Sequence, residues 1–231
     1  MTRTWAPTIG GDHLYALWTD ASVEEGSDEF ERLDAFYSDV HIGEVLRENP
    51  GFVTAVRGGR VSPATGTGYA AARWAALYGV HGEAGIQAYA ARNASGPAPL
   101  FSALPPLFPH ALRGRGRGLY RRVAVAGDAP AAGSGKRRSA ALVLIARGTD
   151  EDPPCLEALR RGGRIPRAGR YQLIHDLNAE GTSSPRVMDL LEADSIAAAT
   201  DLAGAELGRH AIVYEVLAGT DVPADPVATR P

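Results

Sequence analysis

LYRRVAVAG, residues Leu119–Gly127, returns near the end of the chain as AIVYEVLAG, residues Ala211–Gly219; both alternate apolar and polar positions and close on Ala-Gly. A second pair precedes them, RWAALYGV at Arg73–Val80 and RVMDLLEA at Arg186–Ala193. Each match is weak alone, but a shared order at a long period marks a repeated supersecondary unit. Working back from Leu119, HLYALWTDA from His13 has the pattern of a strand. Ser27 is a good helix N-cap, and the helix that follows runs through DEFERLDAFYSDVHIGEVLREN to the breaker pair Pro50-Gly51. GFVTAVRGGRV and ARWAALYGV, separated by the turn-rich SPATGTG, form a hairpin, and EAGIQAYAARN is helical by composition. A Pro-rich connection from Gly96 to Gly118 leads into the strand at Leu119, so the order is β-α-β-β-α-β.

After a Gly, Ala, Pro and Lys linker from Asp128 to Arg138, the order starts again. SAALVLIARG, CLEALRRGG, RYQLIHDLN, PRVMDLLEAD, SIAAATDLAGAEL and HAIVYEVLAG supply strand, helix, strand, strand, helix and strand. A four-stranded sheet with helices on one face leaves its other face apolar, and a second copy covers it. The expected fold is α+β: two tandem ferredoxin-like units forming a pseudo-twofold α+β barrel. The expected boundaries are 12–127 for the first unit, 128–138 for the linker, 139–220 for the second unit and 221–231 for a flexible tail.

Composition bounds the function classes. A length of 231 residues, 45% hydrophobic and 22% charged, suits a globular protein of one domain or two. The longest apolar run, Ala140 to Ala146, is far short of a bilayer span, so no membrane association is expected. A net charge of -3 gives no general attraction to nucleic acid. Met1 to Gly11 lacks a basic segment followed by an apolar one, and the single Cys155 has no partner for an internal disulfide; both agree with a cytoplasmic location. His13, His81, His110, His175 and His210 show no HxH or HxxxH spacing, so no metal is expected. GDAPAAGSGKRR has Pro130 where a phosphate-binding loop needs Gly, and a strand follows it instead of a helix. Gly66-Thr67-Gly68 joins two strands and is a turn. Arg113, Arg115 and Arg117 alternate with glycines and suggest a flexible basic loop.

LWTD at Leu17–Asp20, FYSDVHIGEVL running into NPGFVTAVR at Phe36–Arg57, and WAALYGV at Trp74–Val80 carry a family resemblance. They resemble the dimeric α+β barrel superfamily, in particular its EthD-like and stress-responsive members, whose aromatic-rich helix ends in Tyr, three residues and His-Ile before Pro-Gly-Phe opens the next strand. The resemblance covers about Asp12 to Ala94 and is architectural beyond. Gly43 stands where relatives often carry Pro. Arg164-Ile165-Pro166 occupies the place of His41-Ile42-Gly43 in the second copy, which has lost the histidine and would serve as the structural half. The superfamily holds polyketide cyclases, cofactor-independent quinol monooxygenases, muconolactone isomerases, haem enzymes and proteins with no known reaction, so it implies fold more than chemistry.

On the first helix, Phe30, Leu33, Tyr37, Val40, His41 and Glu44 share one face at spacings of three and four. The three polar members must find partners or line a cavity, since a buried unpaired polar group costs roughly 1 to 3 kcal/mol. With the resemblance, His41 becomes the proton-transfer group, with Tyr37 and Glu44 as its supports. The plainer reading has His41 capping the hairpin or bonding a backbone carbonyl, because Tyr and His one turn apart occur in many helices. Tyr15, Trp18, Trp74 and Tyr78 are candidate pocket walls, and Arg57 and Arg121 candidate anchors for a carboxylate or enolate oxygen; ordinary core packing for the aromatics and surface exposure for the arginines are the alternatives. The leading expectation is a cyclase, isomerase or lyase of secondary metabolism that needs no cofactor and acts on a small enolisable aromatic or polyketide-like molecule. The alternatives are a cofactor-independent monooxygenase on a phenolic substrate and a non-catalytic small-molecule binder. A monomer with a pseudo-dimeric barrel and a homodimer are both compatible.

Overall fold

The computed structural model describes residues 6–7, 9–63, 68–94, 111–127, 138–147, 156, 167–178, 182, 184–205 and 211–221. Its strands are β1 (His13–Ala21), β2 (Phe52–Arg60), β3 (Trp74–Val80), β4 (Leu112–Ala126), β5 (Ala141–Arg147), β6 (Arg167–Asp176), β7 (Val187–Ala193) and β8 (Ala211–Asp221). Its helices are α1 (Asp28–Phe36), α2 (Ile42–Glu48), α3 (Glu83–Ala94) and α4 (Ile196–Ala205), with a π-helical turn, Tyr37–His41, between α1 and α2. No described helix is long and apolar enough to cross a membrane.

The strands close into an eight-stranded antiparallel barrel in the order β8-β2-β3-β1-β4-β6-β7-β5. Each half pairs its four strands in the same sequence, fourth, first, third, second: β4-β1-β3-β2 and β8-β5-β7-β6. Two seams join the halves, β8 against β2 with Tyr214 opposite Arg60, and β4 against β6 with Gly118 opposite Asp176. Closure leaves no sheet edge, and the interior of eight strands is just wide enough for side chains to fill.

Alternation along the strands sorts residues into two layers. Leu14, Ala16 and Trp18 of β1 point into the barrel, where they meet Leu77, Tyr120, Leu142, Leu144, Met188, Leu190, Ile212 and Tyr214 from both halves. Tyr15, Ala76 and Tyr78 point outward and are covered by Ile42, Val45 and Leu46 of α2 and by Ile86 and Tyr89 of α3. On the other half, Val143, Ile145, Leu191 and Val213 pack with Ala199 of α4 and with Leu156.

Several expectations need correction. The first helix is not one regular helix: the Ile42 N–H bonds the Tyr37 carbonyl, so one extra residue is held in the turn. The buried positions therefore step from Leu33 to Tyr37 to Ile42, and Val40, expected on the buried face, is 41% exposed. Strand β4 begins at Leu112, well before Leu119, and contains Arg113, Arg115 and Arg117; these are not a loop. The long β1 supplies the partner, with Ala21 opposite Leu112, while Arg115 Nε pairs with Asp20 at 2.5 Å and Arg117 donates to the Leu177 carbonyl at 2.9 Å. His175, expected in a core, is exposed on β6. Cys155, His110, His210, Arg164, Ile165 and Pro166, most of the proposed linker and nearly all of the proposed tail lie outside the described residues.

Candidate functional site

Ser27 sets the helix that carries the site: its hydroxyl accepts from the Phe30 N–H at 3.2 Å, as an N-cap should. Two turns later the π turn packs Tyr37 inward while keeping His41 beside it, and such turns recur at functional sites. The His41 ring lies 4.7 Å from Tyr37 and 5.9 Å from Phe36, centre to centre. Its side chain is 20% exposed, and Nδ1 stands 3.9 Å from Glu44 Oε2, one turn on. That oxygen is buried and has no hydrogen-bond partner. Burial holds the His41 imidazole below its ordinary range, with Glu44 opposing the shift, so at neutral pH the ring is uncharged.

Arg57 of β2 rises from the sheet beneath this turn and is fully buried. Nη2 meets Asp34 Oδ1 at 2.7 Å, Nη1 donates to Ser38 Oγ at 2.7 Å, and the guanidinium lies 4.5 Å from the centre of the Trp74 ring and 5.4 Å from that of Tyr37. A buried cation needs such partners, and this one ties the helix to the sheet. The Arg57 Nε carries no hydrogen bond.

Further along the same layer, the Tyr15 ring stacks on Tyr78 at 5.6 Å and meets Tyr89 at 4.6 Å, with Phe52 5.3 Å from Tyr89. Burial raises the Tyr37 phenol to about 12 against the pull of Arg57, and pushes Tyr15 and Tyr78 higher, with other phenols adding to both shifts. All three stay protonated at neutral pH and act as hydrogen-bond donors. The layer thus sets a neutral base beside neutral donors, with a buried cation at one side. Among the described residues, no group of three or more His, Cys, Asp or Glu side chains is placed to hold a metal.

Of the residues singled out in the sequence, Tyr37, His41, Glu44, Arg57, Trp74, Tyr78 and Tyr15 share this helix-facing layer. Two do not. Trp18 differs from Tyr15 by an odd number of positions and points into the barrel, and Arg121 is exposed on β4. Arg57, for which surface exposure was the alternative, is among the most buried side chains in the protein. Tyr89, Phe52, Asp34 and Ser38 were missed. The spacing of Ile86 and Tyr89 on α3, and of Asp34 and Ser38 opposite an arginine-bearing strand, was the available signal.

No protein-family model matches the sequence, and no curated protein matches it. Solved structures do resemble the fold. A proposed monooxygenase from Fusobacterium nucleatum superposes with a TM-score of 0.51 at 8% identity, covering 91% of this chain and 95% of that one. An anthrone oxidase-like protein gives 0.50 at 11% identity over 97% and 99%. A proposed chlorite dismutase gives 0.45 at 12% identity over 88% and 93%. What is shared is the architecture, an α+β barrel of the dimeric α+β barrel kind.

Proposed function

We propose that the chain is a small-molecule enzyme that removes a proton from an enolisable or phenolic aromatic substrate in the layer between α1, α2, α3 and the sheet. The observation that carries this reading is the neutral, largely buried His41 held by a π turn against Tyr37, with the partnerless Glu44 oxygen behind it. Because Nδ1 faces Glu44, Nε2 is the nitrogen left for substrate. As His41 takes the proton, Glu44 stabilises the imidazolium, and the negative charge arising on the substrate oxygen meets the Tyr37 and Tyr78 hydroxyls and the field of Arg57. Trp74 and Tyr15 wall the layer. Return of the proton to another atom gives isomerisation, cyclisation or elimination, and none of these steps calls on a cofactor.

A second reading, cofactor-independent monooxygenation of a phenolic substrate, begins with the same deprotonation. The names of the two structural neighbours at TM-scores of 0.50 and above favour it. The two are separated by following enolisable aromatic ketones and hydroquinones in D2O by NMR while recording dioxygen uptake. His41→Ala is expected to lower deuterium incorporation or turnover about 10²- to 10⁴-fold, the usual contribution of a general base. Exchange at the wild-type rate in that variant removes the proposal.

The same reading divides the chain into two tandem ferredoxin-like units of the EthD-like or stress-responsive type, 12–127 carrying the site and 139–220 covering it, joined by 128–138 and followed by the tail 221–231. The repeated strand order supports this division. The protein would act in the cytoplasm, as a monomer whose halves replace two subunits or as a homodimer.

A further inference from the structure

The barrel interior holds a polar group that the helix-side chemistry does not use. Trp18, Tyr120 and Tyr214 are fully buried, and the Trp18 Nε1, Tyr120 Oη and Tyr214 Oη atoms have no hydrogen-bond partner among the described residues. Buried polar side-chain atoms nearly always have partners, and three orphans in one place call for an explanation. They are in one place. The Trp18 ring lies 5.6 Å from Tyr69 and 6.5 Å from Tyr120, and the Tyr214 hydroxyl is within electrostatic reach of Trp18, Tyr69, Arg60 and Asp20. Tyr120 lies near Tyr69 and Ser184, whose Oγ already accepts from Asn178 Nδ2 at 2.9 Å.

The sequence makes room for these rings. A Cβ on Gly58 would stand 2.8 Å from the Tyr214 Cβ, and one on Gly118 would stand 2.6 Å from Leu173 Cδ1 and 3.0 Å from Tyr120 Cε2. The half-buried Tyr69, on the short turn Gly68–Ala71, packs over the cluster, and the turn is tied down by Arg60 Nη1 donating to the Ala70 carbonyl at 3.4 Å. Asp20 accepts from Arg115 Nε at 2.5 Å and from the Arg73 N–H at 2.7 Å, which occupies both its oxygens. The orphans are therefore one obligatory donor and two phenols on aromatic walls, with no free carboxylate at hand to receive a ligand cation.

We propose that the barrel interior beneath the Gly68–Ala71 turn is a second binding site, separate from the His41 layer, for a small planar aromatic molecule whose carbonyl oxygen accepts hydrogen bonds from Trp18, Tyr120 and Tyr214. Trp18 supplies N–H only, so the ligand atom must accept, and the edge-on indole and phenol rings match a flat apolar body.

The test is NMR of the full chain titrated with 1-indanone carrying ¹³C at its carbonyl. A bound carbonyl signal displaced downfield from the free ketone is expected, as hydrogen bonding to the oxygen requires. Tyr214→Phe and Tyr120→Phe should each weaken that binding about 3- to 10-fold, the loss of one neutral hydrogen bond, and draw the signal back towards its free position. His41→Ala and Tyr37→Phe should leave it in place; any second signal abolished only by these two reports the helix-side layer and bears on the proposed activity instead. Each phenylalanine variant is read separately, so one that fails to fold leaves the other to decide. No bound signal, or one indifferent to both variants, overturns the proposal and assigns the three polar atoms to ordered water.

Discussion

Raising the pH should unfold this protein abruptly, and the tyrosines set where. Tyr37 and Tyr171 are buried phenols whose ionisation is moved from near 10 to about 12, chiefly by loss of solvent, and Tyr15, Tyr78, Tyr120 and Tyr214 are also displaced upward for that reason. In the unfolded chain these groups lose their protons near pH 10, while in the folded chain Tyr37 and Tyr171 hold theirs until about 12. Between those values the unfolded state binds fewer protons, so stability is complete below pH 10 and falls as pH rises. At about 1.4 kcal/mol per pH interval, Tyr37 alone gives up roughly 3 kcal/mol by pH 12 and Tyr171 a similar amount. Their joint loss is comparable to the roughly 5 to 15 kcal/mol that holds a typical domain together. Tyrosinate absorbance at 295 nm and far-ultraviolet circular dichroism, followed together between pH 9 and 12.5, should therefore change in one shared cooperative step. Tyr37→Phe should move the step to higher pH. Tyrosinate absorbance that climbs gradually from pH 9.5 with the circular dichroism intact would refute the burial argument and, with it, the neutral-donor role given to Tyr37 and Tyr78.

Turnover should persist on the acid side to below the ordinary histidine range, because burial lowers the His41 ionisation and only the neutral ring accepts a proton; a pH profile whose acid limb lies above pH 6.5 contradicts this. Deleting Val40, which is exposed, converts the π turn to a regular helical turn that keeps Leu33, Tyr37 and Ile42 buried; the melting temperature should shift by no more than a few degrees while activity drops, and unchanged activity would strip the turn of a functional role. Ser27→Ala should cost about 1 kcal/mol in a denaturant melt, the usual value for a lost N-cap. Gly58→Ala, whose new methyl would press on Tyr214, should cost about 1 to 3 kcal/mol, and a neutral result would show that the barrel wall yields there.

Much of the candidate site was legible because a helix face is a local property. Tyr37, His41 and Glu44 follow from a spacing of three and four residues, and Trp74 and Tyr78 share a strand face by alternation. The extra residue at Tyr37–His41 was not legible, since a π turn differs from an α turn by one hydrogen-bond register that only packing against the sheet selects. Arg57 misled for a similar reason. An arginine is exposed by default, and its burial depends on Asp34, Ser38 and Trp74 converging from other elements.

The sequence alone determined the strands and helices it names, their order, and the recurrence of that order in the second half, because periodicity and turn chemistry act over a few neighbouring residues. Only the tertiary structure decided which face each strand turns to which layer. Tyr15 and Trp18 lie on one strand, yet one joins the helix-side layer and the other the barrel interior, since a strand offers two equivalent faces until closure of the barrel puts one of them inside.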